Sequence, residues 1–173
     1  PLRDPNAKER VAIAAAEEKW KGLPVRPEVT LDIQDQGKTV SLGPRHSDKH
    51  GPFYQLAEAF GSASNDFVSH QINLLLSVVG KGEEQINSAL AIVAAIAPQN
   101  ELETSLAVQI AVSHSSALGM LLRMNGAQTL PLLTTAGNLA TKFQRTQAAL
   151  IESLIKLRNG GAQTVRHVHV YEG

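Results

Sequence analysis

The sequence has no cysteine among its 173 residues. This absence excludes disulfide bonds, thiol catalysis and cysteine-ligated zinc, and it fits a reducing compartment. The pattern of a secretory signal is missing too, because no positively charged start leads into an apolar stretch with a small-residue cleavage site. We therefore expect a cytoplasmic protein.

The chain also lacks net charge and is poor in aromatic residues. Its 16 basic side chains balance 16 acidic ones, and aromatics make up 4% of the residues. A neutral protein exerts no overall attraction on nucleic acid or an anionic membrane, so any such binding would have to be local. The length suits one domain. We predict a single domain over 1–173, divided into an N-terminal helix (1–24), a hairpin and loop (25–52), a helical bundle (53–159) and a strand tail (160–173).

Charged side chains are scarce in the middle of the chain. The first sixty residues carry eighteen of them, whereas residues 85–141 carry only Glu101, Glu103 and Arg123. A helical region on a monomer surface normally shows a charged face. Either this region is a hairpin wrapped by the rest of the chain, or it is a subunit interface. We favour the interface.

Helix caps, helix breakers and alternating segments predict a mostly α fold. It is a helical bundle with a long antiparallel helical hairpin, a short N-terminal β-hairpin and a C-terminal β-strand. Alternation of Val29, Leu31 and Ile33 before a polar turn predicts the β-hairpin, with 43–51 as a loop. The first helix is predicted from an N-cap at Asp4 to Lys21, packing Val11, Ala12, Ala15 and Trp20. The other predicted helices span 53–60, 65–79, 83–96, 100–124 and 129–159.

The last two predicted helices form the long hairpin. Apolar spacings of three and four predict that the final helix packs through Leu132, Ala136, Leu139, Phe143, Leu150, Leu154 and Leu157, with Thr146 and Gln147 interrupting the pattern. The facing residues are predicted to be Leu102, Leu106, Ile110, Ala117 and Leu121. A second stripe of Val108, Val112 and Leu122 implies a second packing partner, and we predict that it contacts another subunit.

The chain ends in a segment with the period of a strand. Residues 160–173 read GGAQTVRHVHVYEG, in which helical spacing gives way to alternation. A lone strand cannot satisfy its own backbone groups, so it must pair with another copy or with a short strand elsewhere in the chain. The β-hairpin is a candidate partner, and Val165, Val168 and Val170 are predicted subunit contacts.

Candidate chemistry is thin. His167 and His169 share one face of the terminal strand, a spacing at which two histidines can bind a metal, but two ligands do not make a site. They are weak metal candidates that we interpret mainly as cross-strand neighbours. We expect no cofactor and no enzymatic activity, because no acid, base and nucleophile can be brought together from the sequence.

The C-terminal part is locally basic, through Lys142, Arg145, Lys156, Arg158 and Arg166. These residues are the candidate contacts for nucleic acid, although cations near a helix end also complement the helix dipole. Residues 104–122 carry no charge over a length that nearly spans a bilayer. Seven polar side chains interrupt the segment, so we predict no membrane association.

Three motifs resemble those of a known family. They are Ser41-Leu42-Gly43-Pro44, the helix start from Pro98 to Leu106, and the terminal Gly160-Gly161-Ala162-Gln163 with His167-Val168-His169-Val170. From about Ser41 onward the chain resembles a family of uncharacterised proteins found mainly in alphaproteobacteria. That family has several helices followed by a Gly-Gly, Gln and His-Val-x-Val tail. The resemblance implies this architecture and no activity.

Taken together, these features favour a homo-oligomeric structural or interaction protein, whose partner is another copy of itself. Charge-poor helices and addition of the C-terminal strand would hold the subunits together. Nucleic-acid binding through the basic end is one alternative. Metal binding through His167 and His169 is another.

Overall fold

The computed structural model describes residues 3–34, 39–44, 48, 50–80 and 82–160. Six helices and an antiparallel pair of strands make up this part of the chain, in the order α1 (Ala7–Lys21), β1 (Val29–Gln34), β2 (Thr39–Pro44), α2 (Gly51–Ala59), α3 (Asn65–Val79), α4 (Glu83–Ile96), α5 (Glu101–Asn125) and α6 (Leu130–Arg158). The mostly α prediction is confirmed. The predicted C-terminal strand lies outside the described residues.

Local capping explains where the helices begin. Ser64 and Asn100 cap α3 and α5, and their side chains accept hydrogen bonds from backbone N–H groups of the first turn. The predicted cap at Asp4 is wrong. Asn6 caps α1 instead, in a capping box with Glu9, because only Asn6 has the glutamate three residues later that completes the reciprocal bonds.

The core lies between α3, α4 and α5. Phe60, Leu75, Ile86, Leu90 and Val93 are fully buried, and Val29 of β1 closes the cluster from outside the helices. Burying a side chain of this size contributes about 1.5 to 3 kcal/mol. Helix α6 packs on the opposite side of α5, so α5 has the two packing partners that its two apolar stripes predicted.

The β-hairpin packs over α4. Its strands pair with Val29 opposite Pro44, Leu31 opposite Leu42 and Gln34 opposite Thr39. The hairpin prediction is therefore confirmed, but β2 continues through Gly43 and Pro44, which were predicted to be loop. The register explains the difference, because both residues have partners in β1.

The turn between α4 and α5 is held from the side of α2. The Thr104 hydroxyl donates to the carbonyl of Phe60, and Ser62 donates to the Glu101 carboxylate over 2.7 Å. Gly61 has a positive φ of 53°, and a Cβ there would collide with the carbonyl of Pro98. Glycine is required at this contact.

Helix α1 buries none of its residues. The prediction that Val11 and Trp20 pack against the chain is wrong, since both are exposed. Around a helix, Val11 and Trp20 lie on different faces, so no single apolar stripe forms. Helix propensity and the Asn6 cap account for this helix without tertiary packing.

Candidate functional site

Helices α5 and α6 form the predicted antiparallel hairpin. The α6 residues turned toward α5 are Ala136, Ala140, Phe143, Gln147, Leu150 and Leu154, which are buried or half-buried. Their spacings alternate between four and three, the repeat of helices that pack side by side. The predicted face was rotated by part of a turn, because Leu132, Leu139 and Leu157 are exposed. Ala136, Phe143, Leu150 and Leu154 were predicted on this face and lie there. Ala140 was not predicted, and Gln147 belongs to the face that it was predicted to interrupt.

An ion pair closes the hairpin at its open end. The Arg158 guanidinium donates to Glu103 Oε2 from Nε over 3.0 Å and from Nη2 over 2.8 Å. Nη2 also donates to the carbonyls of Ile96 and Ala97, at 2.8 and 3.1 Å. One side chain of α6 therefore joins the end of α4 to the start of α5.

Glu103 is buried at 6% exposure. Hydrogen bonds from Arg158 lower the pKa of this carboxyl below its ordinary value of 4.5, against the opposing effect of burial. The N–H of Gln99 also donates to Oε2 over 3.1 Å. Asn100 therefore caps the helix, whereas the Glu103 side chain accepts hydrogen bonds from Gln99 and Arg158.

The predicted subunit contacts on α5 separate into two groups. Val108 lies in the core cluster, and Val112 is half-buried against it, so both pack within the chain and leave little surface for a neighbour. Leu122 is 73% exposed and stays available. The other predicted contacts, Val165, Val168 and Val170, lie outside the described residues.

The most apolar surface lies at the turn end of the hairpin. We define the hairpin tip as residues 118–139, which contain one charged residue, Arg123. Six of its leucines are exposed, namely Leu118, Leu122, Leu130, Leu132, Leu133 and Leu139. Leu118 and Leu122 line a groove that also contains Glu84 of α4. Single exposed leucines are ordinary on a protein surface, but several of them in one short segment with a single charged residue indicate an interaction site.

The basic residues of α6 do not act as one group. Lys142, Arg145 and Lys156 are exposed and, by helical periodicity, share the face opposite α5. Arg158 is bound to Glu103 and to two backbone carbonyls. Arg166 lies outside the described residues, which leaves three cations of the predicted set on a common face.

Within the described ranges, no group of three or more His, Asp or Glu side chains is placed to hold a metal ion. His50 and His70 are exposed, and His114 is half-buried. The weak candidates His167 and His169 lie beyond these ranges. Metal binding through them remains a prediction.

Helix α5 is the one described helix that is long and apolar enough to cross a membrane. Of the residues in its most apolar stretch, 33% are buried inside the protein. A core helix meets the same criterion of length and composition, so the finding is weak evidence for a membrane span.

Sequence reasoning missed two polar contacts that position the elements. The Glu103–Arg158 pair joins residues 55 positions apart, and no local pattern marks it. Asn87 of α4 bonds both backbone groups of Val29 in β1. The signal that could have pointed to this contact was an asparagine next to the buried Ile86 in α4.

Comparison of the chain with protein-family models, with curated proteins and with solved structures finds no match. The resemblance to the alphaproteobacterial family therefore stays an expectation from its motifs. Any function has to be argued from the surfaces described above.

Proposed function

We propose that this chain is a homo-oligomeric interaction protein whose subunits associate through the hairpin tip. The observation that carries the proposal is the presence of six exposed leucines in a segment of the chain that contains one charged residue. A monomer in water would gain solubility from charged residues there. Their absence favours a surface that is covered by another subunit.

The exposed area gives a gain of the same order as the cost of association. The exposed fractions of the six leucines equal about three whole side chains, each contributing about 1.5 to 3 kcal/mol when buried. Complete burial in two copies would then gain on the order of 9 to 18 kcal/mol, against an association cost of about 4 to 15 kcal/mol. Association through these leucines is therefore energetically feasible.

The helix geometry suits a four-helix contact between two hairpins. Leu132 and Leu139 flank one side of the α6 face that packs on α5, and Leu133 flanks the other, so the apolar surface is wider than one helix partner covers. Two such hairpins packed tip to tip, side by side, would enclose these flanks as in a helical bundle.

The test is the native mass in solution, measured by light scattering or sedimentation across a hundredfold range of concentration. A monomer has a mass of 18.5 kDa, and we expect a multiple of it for the unmodified chain. Replacing Leu122 and Leu130, each 73% exposed, by glutamine should raise the dissociation constant at least about a thousandfold. Leu133→Gln and Leu157→Gln form a matched pair, because both leucines are 41% exposed on α6 but only Leu133 belongs to the tip.

A monomeric mass for the unmodified chain throughout the concentration range would refute the proposal. Equal effects of Leu133→Gln and Leu157→Gln on the dissociation constant would show that the hairpin tip is not the contact surface. If the tip instead inserts into a bilayer, the chain will co-sediment with phosphatidylcholine vesicles, and Leu122→Gln with Leu130→Gln will release it. That result would also overturn self-association as the role of the tip.

Nucleic-acid binding is the second candidate, supported by the shared outward face of Lys142, Arg145 and Lys156. Three phosphate contacts predict a slope of about −3 in log affinity against log salt for duplex DNA. Replacing the three residues by alanine should abolish retention of DNA at low salt. Retention that persists in this variant would exclude the face as the binding surface.

A further inference from the structure

One edge of the two-stranded sheet is closed by α4. Asn87 Oδ1 accepts the N–H of Val29 over 2.8 Å, and Asn87 Nδ2 donates to the carbonyl of Val29 over 2.9 Å. The N–H of Leu31 donates to Glu83 Oε1 over 3.0 Å. Side chains of a helix thus take the place of a neighbouring strand, and no strand can add to β1 there.

The register then fixes which backbone groups of β2 face outward. In an antiparallel pair, alternate residues direct both backbone groups to the same side. Val29 and Leu31 direct their backbone groups toward α4. Their partners in β2 therefore direct their own backbone groups away from β1. Val40 and Leu42 therefore present an N–H and a carbonyl at the outer edge, where Pro44 has no N–H to offer. Among the described residues the sheet contains only β1 and β2, so no described strand lies beside this edge.

A groove of mixed polarity runs next to that edge. Its apolar lining is Leu42 of β2, Phe53 and Leu56 of α2, and Val68 and Ile72 of α3, and Asn65, Ser69 and Asn73 of α3 complete the wall of a space of about 300 Å³. The backbone groups of Leu42 point to the outer edge, and its side chain packs against the core. A strand added to this edge would direct the side chains opposite Leu42 into the groove.

We propose that the C-terminal segment of the same chain, residues 164–171, adds to the outer edge of β2 as a third antiparallel strand. It is the one other part of the sequence with the alternation of a strand. Val168 and Val170 would bond to β2 and fill the groove. His167 and His169, which alternate with these valines, would face solvent.

The direction of the chain fits this pairing. Arg26 donates to the carbonyl of Ala94 near the end of α4, and Leu31 bonds Glu83 at its start, so β1 runs antiparallel to α4. Arg158 holds the end of α6 beside Ala97, which places the origin of the tail at the same end of α4. A tail running from there toward Glu83 is parallel to β1 and hence antiparallel to β2.

The tail is also long enough. Thirteen residues follow Gly160 and span up to about 43 Å when extended. Helix α4, along which the tail would run, has 14 residues and is about 21 Å long, which is well within this reach. A linker of this length gives an effective concentration of about millimolar, which favours the tail of the same chain over that of a neighbour.

Amide hydrogen exchange in the full chain tests this inference. We expect the N–H groups of Val40 and Leu42 to be protected, at a level that does not change over a hundredfold dilution. Val168→Pro should lower this protection at least tenfold, because it removes an N–H that faces β2. His167→Pro removes an N–H that faces solvent and should change it less than threefold. Val168→Thr keeps the N–H and should retain the protection.

Unprotected Val40 and Leu42 in the full chain would overturn the inference, as would equal effects of the two proline variants. Protection that falls on dilution would assign the added strand to a second copy and reject pairing within one chain. The native mass of Val168→Pro should equal that of the unmodified chain. This separates the pairing of the tail from association through the hairpin tip.

Discussion

Replacing Arg158 by alanine should destabilise the protein by about 2 kcal/mol. Its guanidinium bonds the nearly buried Glu103 and the carbonyls of Ile96 and Ala97. Breaking a fully buried ion pair from one side costs about 3 to 5 kcal/mol, and a surface pair contributes about 0 to 1. The Arg158 side chain is 37% exposed, so water screens it and the expected cost lies between these values.

The two partners should respond unequally. Without Arg158, the Glu103 carboxylate stays buried with the N–H of Gln99 as its remaining donor among the bonds described above. Without the Glu103 charge, Arg158 still reaches water and two carbonyls. Glu103→Gln should therefore cost about 1 kcal/mol, half as much as Arg158→Ala. The double variant should cost less than the sum of the two, because the partners interact directly.

Chemical denaturation at neutral pH measures these differences, and for a chain of this length 2 kcal/mol corresponds to about 4 to 8 °C in Tm. Lys156→Ala is the matched control, since Lys156 is exposed near the same end of α6. An Arg158→Ala cost no larger than that of Lys156→Ala would refute the reasoning.

The stability lost in Arg158→Ala should also depend on pH, and the direction follows from the pKa of Glu103. The pKa of Glu103 is lowered in the folded state, chiefly by the hydrogen bonds from Arg158. A lowered pKa contributes stability that is fully present above the ordinary value of 4.5 and is lost as the pH falls through the folded value. The difference between the unmodified chain and Arg158→Ala should therefore be constant from pH 6 to 8 and shrink below about pH 4. A difference that grows on acidification would contradict the assignment.

Replacing two glycines by alanine should change the stability in opposite directions. Gly61→Ala should cost at least about 2 kcal/mol, because the φ of Gly61 is positive and a Cβ would meet the carbonyl of Pro98. Gly119→Ala should stabilise by about 0.5 to 1 kcal/mol, because Gly119 lies inside α5 with no atom near the added Cβ. Thermal unfolding of both variants checks the signs, and two changes of the same sign would contradict them. Asn87→Ala removes both bonds to Val29 and should cost about 2 kcal/mol in denaturant unfolding. A loss below about 0.5 kcal/mol would show that water replaces the amide at no penalty.

Local chemistry explains why most helix boundaries could be predicted. Helix α4 spans Glu83–Ile96, as the flanking Gly82 and Pro98 indicated. Ser64 and Asn100 cap their helices through bonds within four residues. Such signals depend on neighbours in the sequence and need no knowledge of tertiary contacts.

Packing partners were harder to predict. Ala136 and Leu154 were assigned correctly to the contact face of α6, but Leu139 was preferred over its neighbour Ala140, which is the buried one of the two. Small side chains such as Ala140 let helices approach closely. The Glu103–Arg158 pair could not be predicted either, since the fold alone brings its partners together. Sequence thus predicted the existence of the hairpin but not the rotation of its helices.

The ion pair at one end of α6 has a mechanical consequence at the other end. Helix α6 has 29 residues and is about 43 Å long. A rotation of about 10° around Arg158 would move Leu130 by about 7 Å, which is more than the pitch of a helical turn. The hairpin therefore acts as a lever, and holding its base at Glu103 keeps the leucines of the tip in one position for a partner to meet.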